Sequence, residues 1–369
     1  MPVKTMPPVA AATAGAVCIS SSAVLMKLAS TASPSVVAFG RCAFALPVLG
    51  ALALRERRHG GVTTPMPSRS RWLARLAGVF LAADLILWSH TIAAIGAGLG
   101  TVVGNLEVLI IALLAWLVLG ERPGRSLVLA SPVMLAGLVL VGGLADVGGS
   151  RAYGTDPALG AGLGVGVAVL YAVYILMLRQ ATSAAGPGAA VAAPLFEATA
   201  GATAGSVLLG LVLGDLRLGP AWPALGWLAL LALTSQVVGW LLITVSMPRL
   251  AAGTIGALLL IQPAGSVALS YVILGERPSL LQLAGVALVL TGVVVAVTGR
   301  APEAYSRRRT RIIRQASAAS TGTSPSKSPK LAAMVKPPAS LMAAVSSVAV
   351  QKRFGTMSVT VRTGPPRLW

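Results

Sequence analysis

The chain has very little charge and very little cysteine for its length. Of its 369 residues 11% are charged, whereas about a quarter is typical of soluble domains. The two cysteines, Cys18 and Cys42, lie in apolar stretches and are too few for a disulfide framework. The sequence has no glycine-rich phosphate loop, no His/Cys metal constellation and no nucleophile elbow. It therefore predicts no enzymatic activity, no cofactor and no metal.

Hydrophobic residues are abundant instead. They make up 56% of the chain, and the mean hydropathy is +0.83. A chain of this composition has to keep its surface in lipid, and about 20 apolar residues are enough for one membrane span. The sequence predicts ten such spans, at residues 9–29, 35–54, 73–95, 98–119, 126–145, 158–178, 188–213, 222–246, 251–274 and 280–298.

A long internal repeat organises these spans. The fourth span closes on the sequence GERP at residues 120–123, and the ninth closes on GERP at residues 275–278, about 155 residues later. Gln262 falls where Glu107 stood in the first copy. The next span of each half has a glycine at the same offset, Gly137 and Gly292. The repeat predicts two halves, residues 1–145 and 158–299, joined by a linker over 146–157.

The predicted fold is an all-α integral membrane bundle of two inverted five-helix repeats. Each half has an odd number of spans, so the second half must lie upside down relative to the first. If both termini are cytoplasmic, most loop Lys and Arg residues lie inside, and the outside loops hold only Arg151, Arg217 and Arg277. Transporters with inverted repeats bind substrate near the midplane, where the halves meet.

The last 70 residues differ from the rest. From Arg300 onward the chain has thirteen Lys or Arg and one acid, Glu303, and it is rich in Ser, Ala and Pro. This composition predicts a disordered cytoplasmic tail. Its basic start can lie on anionic lipid headgroups or simply fix the topology. The basic residues of the tail are not interleaved with aromatic residues as in nucleic-acid binding segments, so no nucleic acid is expected.

Two carboxylates inside predicted spans are candidates for proton or cation coupling. An ionisable side chain at bilayer depth costs about 2.5 to 3.5 kcal/mol, so it usually faces a cavity or a partner. Glu107 lies mid-span with Gly100 and Gly104 on its face; a transport role and an interhelical hydrogen bond are both open. Asp84, one turn from Trp88, could hold a cationic group or pair with a basic residue.

Further polar and aromatic side chains are candidates for substrate contact. Arg41 lies deep in the second span and pairs with an acid or a substrate carboxylate. Gln236 and Trp240, one turn apart, form either a structural or a substrate surface. The full set of substrate candidates is Arg41, Trp88, Asn105, Gln236, Trp240, Gln262 and Glu197. Lys27 is expected to extend towards the membrane surface, and His90 to be an interfacial histidine.

These patterns resemble the EamA-type branch of the drug/metabolite transporter superfamily. The resemblance rests on SPSVVAFGRCAFALP in span two and on the long stretches that close on the two GERP copies. It implies a ten-helix exporter of amino acids, metabolites or drugs in the bacterial inner membrane, driven by a proton or exchange gradient. Many relatives have proline after the span-four glutamate, where this chain has Val108. A bend is therefore expected at Pro263 and is not carried over to Val108.

The predicted function is a secondary transporter that alternates access around a midplane cavity. Spans three, four, eight and nine are expected to line it, with contributions from spans two and seven. A facilitated exchanger or importer is an alternative, and so is a membrane sensor or scaffold that acts through the basic tail. The expected partners are a small-molecule substrate and the lipid bilayer, and a homodimer is left open.

Overall fold

The structure is a computed structural model that describes residues 6–59, 66–120, 123–143, 153–183, 192–217, 219, 222–246, 250, 258 and 260–298. The predicted tail, most of the 146–157 linker, and Glu121 and Arg122 of the first GERP copy lie outside these ranges. Helices and turns account for the described secondary structure, with no strand among these residues.

The helices follow the apolar stretches of the sequence. They are α1 (Pro8–Ser20), α2 (Ser22–Leu28), α3 (Pro34–His59), α4 (Ser68–Ile95), α5 (Ala97–Gly104), α6 (Glu107–Leu119), α7 (Arg125–Val141), α8 (Pro157–Ser183), α9 (Ala192–Leu213), α10 (Ala224–Leu231), α11 (Trp240–Ser246), α12 (Ile261–Leu269) and α13 (Leu280–Thr298). A π-helical segment, Ala232–Gly239, joins α10 to α11, and a second one, Ser270–Leu274, continues α12.

The described residues form seven helical stretches that are long and apolar enough to cross a membrane, and three shorter apolar ones. Their outer surfaces carry large apolar side chains. Val212 is 77% exposed, Val272 77% and Leu129 72%. Such a surface would drive a protein to aggregate in water but carries no penalty in lipid. The chain is therefore a multi-pass membrane protein, with ten spans as the predicted count.

Glycine ends the helices at the repeated motif. Gly120 closes α6 with φ 69°, and Gly275 closes the segment after α12 with φ 67°. This left-handed conformation favours glycine because it has no Cβ, and it stops a helix sharply. The first residue of each GERP copy thus has the same structural role in both halves of the chain.

Helices at matching positions of the two halves pack against each other. α3 packs on α9, α5 on α12, and α7 on α13. At the last of these contacts a Cβ on Gly137 would lie 2.7 Å from the carbonyl oxygen of Gly285, and the reverse holds for Gly285. These two helices approach as closely as their backbones allow, and the small residues make the approach possible.

Candidate functional site

A polar cavity of about 100 Å³ lies halfway along the helices. This volume has room for several water molecules. Most of the residues singled out in the sequence line it. They are Arg41, Asp84, Trp88, Asn105, Glu107, Gln236, Trp240 and Gln262. Other parts of the wall are apolar, for example Ile19, Leu81 and Val167. The cavity therefore combines two carboxylates, one guanidinium, three amides and several aromatic rings.

Arg41 is held by neutral groups. Its side chain is almost fully buried, 6% exposed. Nε donates to Oε1 of Gln236 at 3.1 Å, and Nη1 donates to Oγ of Ser22 at 3.1 Å. Nε2 of Gln236 then donates to Oγ1 of Thr199 at 3.5 Å. The chain of bonds links three helical regions, α2, α3 and the π-helical segment 232–239, to α9. Single-turn π-helical insertions often occur at functional sites.

Asp84 has a buried carboxylate oxygen that the described residues around it leave unpaired. It projects from the middle of α4 and is 4% exposed. Its Oδ1 is buried without a hydrogen-bond partner among the described groups. No ion pair joins it to Arg41 within 4.0 Å in the described part of the chain. A buried carboxylate oxygen without a partner is costly, so this position calls for a proton, a cation or a donor from a ligand.

The predicted fourth span is interrupted beside Glu107. Helix α5 ends at Gly104, a turn follows at Asn105 and Leu106, and α6 begins at Glu107. Nδ2 of Asn105 donates to the carbonyl oxygen of Thr101 at 2.8 Å, while the Asn105 N–H bonds to Val102 instead. The amide thus satisfies a carbonyl that a regular helix would pair with the backbone. The helix is thus interrupted here without a proline. The sequence alone did not predict this interruption.

The second half begins a helix at the matching place. Gln262 is the second residue of α12, and Pro263 is the third. Proline fits the first turn of a helix because the N–H that it lacks would have no helical partner there. Helices α6 and α12 therefore both begin at the cavity.

Two aromatic residues of the cavity were not among the candidates predicted from the sequence. Tyr171 and Tyr174 project from α8, with ring centroids 5.6 Å apart and planes tilted by 53°. Tyrosine in an apolar run costs little to insert, so it does not stand out as an ionisable residue does. With Trp88 and Trp240 these rings give the cavity an aromatic wall, which is suited to holding an organic cation.

Glu197, also predicted as a substrate contact, lies apart from the other candidates. It is not among the residues that line the cavity, and its Oε2 accepts a bond from Nε of Arg75 at 2.6 Å. The partner lies on α4, a helix whose register against α9 the sequence does not reveal. His90 is exposed, and Lys27 Nζ approaches the carbonyl oxygen of Ile92 at 3.5 Å near the end of α4.

The described residues contain no group of three His, Cys, Asp or Glu side chains placed to hold a metal. A polar cavity halfway along a bundle of apolar helices is typical of small-molecule membrane transporters. The model of the EamA-like transporter family matches residues 6–143 and again residues 158–298. The chain therefore belongs to this family, as its motifs predicted. Members of the family are transporters and not enzymes.

Solved structures match the fold as well. One is described only as a crystal structure of a protein; it is 19% identical, with a TM-score of 0.53, and the match covers 78% of this chain and 96% of that chain. At this identity the likeness shows the fold alone. None of the curated proteins compared matches the chain.

Proposed function

We propose that the chain is a secondary transporter that exports small molecules bearing an amino or other cationic group, coupled to protons or to exchange. The observation that carries this proposal is the gathering of Asp84, Glu107 and Arg41 in one cavity with an aromatic wall. Asp84 and the ring of Trp88 supply the groups that recognise a cation. Glu107 and Asp84 are the groups that would exchange protons.

Alternating access follows from the proposed inverted repeat, residues 1–145 and 158–299. The packing supports it: α3 with α9, α5 with α12, and α7 with α13 are each pairs of helices from matching positions in the two halves. A pseudo-twofold axis in the membrane plane places such pairs beside each other. The two halves can then rock about the cavity. We further propose the bacterial inner membrane and cytoplasmic termini, on the distribution of loop Lys and Arg.

The experiment is flux into proteoliposomes under an imposed pH gradient, with pooled amino acids and pooled organic cations. Wild-type protein is compared with Glu107→Gln. Glu197→Gln is the matched control, because it makes the same chemical change at a carboxylate outside the cavity. We expect gradient-driven flux that falls at least tenfold in Glu107→Gln and persists in Glu197→Gln. Unchanged pH dependence in Glu107→Gln would refute the role of Glu107.

The rival functions give different results. A facilitated exchanger would show counterflow of a compound without a response to the pH gradient. A scaffold that acts through the tail would show no flux, and its activity would be lost on deletion of residues 301–369. A transporter should keep its flux after that deletion, since the described residues that line the cavity all precede Arg300.

A further inference from the structure

The glutamate of the second GERP copy bonds to a helix of the first half. Glu276 is 1% exposed, although it lies in the loop after the segment that continues α12. Its Oε1 accepts the N–H of Ala97 at 2.7 Å, and its Oε2 accepts the N–H of Gly98 at 3.1 Å. Both donors are in the first turn of α5. We call this arrangement the Glu276 cap.

The Glu276 cap stabilises the start of α5 by hydrogen bonding and by its charge. The first N–H groups of a helix have no partner within the helix, and the helix dipole favours a negative charge beside them. A carboxylate that accepts two such bonds is therefore held more firmly than a neutral acceptor would be. The fit is also tight. Gly96 has φ 95°, and a Cβ there would lie 2.9 Å from Oε2 of Glu276 and 2.8 Å from the ring of Tyr153.

The contact continues from the Glu276 cap towards the cavity. At Gly98, the second donor of the cap, an added Cβ would meet Ser270 Oγ and lie 2.9 Å from Val267 Cα. One turn further, the hydroxyls of Thr101 and Ser266 are 3.0 Å apart. The cavity begins at Thr101 and extends to Glu107. The α5–α12 contact therefore runs from the cavity to this end of the two helices, with the Glu276 cap at its outer limit.

We propose that the Glu276 cap holds this end of the cavity closed, and that the cap opens and re-forms in each transport cycle. The inference rests on alternating access between the two halves. A path to the cavity from this end requires α5 to separate from α12, and Glu276 is attached to α12 through Gly275. The separation breaks both carboxylate bonds and returns the buried charge to water. Glu276 is thus a positioning residue that sets the balance between the two access states.

The test measures access to the cavity and not flux. Val167 lines the cavity and is 6% exposed. Val167→Cys is introduced together with Cys18→Ala and Cys42→Ala, so that one thiol remains. A membrane-impermeant maleimide is then applied to vesicles from each side. A separate variant, Arg277→Cys, identifies the side on which Glu276 lies, because Arg277 is exposed next to it.

We expect Glu276→Gln to raise the labelling rate of Val167→Cys from the Glu276 side roughly tenfold and to lower it from the other side. Glu276→Asp keeps the charge but shortens its reach, so it should give a smaller shift in the same direction; it replaces Glu276→Gln if that variant does not fold. Glu56→Gln is the matched control. Glu56 also accepts an N–H from the first residue of a helix, Ala192 at 2.9 Å, but at the opposite end of the bundle.

Labelling of folded Glu276→Gln and Glu276→Asp at the wild-type rate from both sides would overturn the proposal and leave Glu276 as a structural cap. A rise from both sides would overturn it too, since it would report general loosening. Because labelling needs no substrate, its outcome is independent of the flux experiments. A chain that shows the expected labelling but no gradient-driven flux would refute the proposed coupling and leave the Glu276 cap in place.

Discussion

The bond between Arg41 and Gln236 leads to a quantitative prediction. The two side chains were candidates for substrate contact, yet in the structure they bind each other at 3.1 Å inside the membrane. If this bond holds the guanidinium in place, Gln236 serves the site by positioning Arg41. If it is incidental, the two side chains act separately. A double-mutant cycle distinguishes these cases because it measures the coupling between two positions.

The magnitude follows from the bonds. Arg41→Lys keeps the charge, but one ammonium cannot reproduce the forked contact with both Gln236 and Ser22. A hydrogen bond to a charged group contributes about 1.5 to 3 kcal/mol. We therefore expect Arg41→Lys and Gln236→Leu each to lower the free energy of unfolding by about 2 kcal/mol. The double variant should lose much less than the sum, with a coupling energy of about 1.5 kcal/mol.

The assay is reversible unfolding in mixed detergent micelles, followed by tryptophan fluorescence. Thr182→Val is the control partner for Arg41→Lys, because Thr182 is exposed and its hydroxyl donates to the Leu178 and Arg179 carbonyls of its own helix. That cycle should give coupling below about 0.5 kcal/mol. A similarly small coupling for Arg41 with Gln236 would refute the positioning role and favour independent contact of Gln236 with substrate.

Two further predictions concern packing and the ion pair outside the cavity. Gly137→Ala should lower the free energy of unfolding by about 1 to 3 kcal/mol, because the new Cβ would lie 2.7 Å from the Gly285 carbonyl oxygen and 2.9 Å from the Val289 nitrogen. The control Gly162→Ala, with open space around it, should be neutral or stabilising by up to about 1 kcal/mol. Equal effects of the two substitutions would contradict the close α7–α13 contact. Glu197→Gln should lower the free energy of unfolding by less than about 1 kcal/mol in the same assay, since the Arg75 side chain is 43% exposed and its charge is screened by water. A loss above about 3 kcal/mol, as for a buried ion pair, would contradict this.

The helices were predictable because lipid imposes one strong rule on the sequence. A span must be apolar over about 20 residues, and so the starts of α3 at Pro34 and α8 at Pro157 differ by only one residue from the predicted starts. The same rule identifies candidate residues of the site. Asp84 and Arg41 stand out in apolar runs, and neither can face lipid cheaply, so both had to project inwards. In a membrane protein, the buried polar residues can therefore be recognised in the sequence, because lipid excludes them from the outer surface.

Contacts that depend on how two helices pack could not be predicted, because the sequence pattern does not identify the partner residue. Glu197 met the same criterion as Asp84, but its partner Arg75 lies on another helix at a register that only packing decides. The break at Asn105 depends on a side chain bonding to its own backbone, which many asparagines in helices do not do. Tyr171 and Tyr174 are ordinary members of an apolar helix until the fold places them beside Asp84.

The GERP repeat shows how the two kinds of information combine. Its glycine was readable as a helix end, and Gly120 and Gly275 both adopt the left-handed conformation that ends one. Its glutamate carried no such meaning, because the partners of Glu276 are backbone N–H groups of another helix. A duplicated tetrapeptide at the end of duplicated spans nevertheless indicated that the position matters in both halves. The structure adds the physical reason for Glu276: a charge at the end of one half stabilises the beginning of a helix in the other.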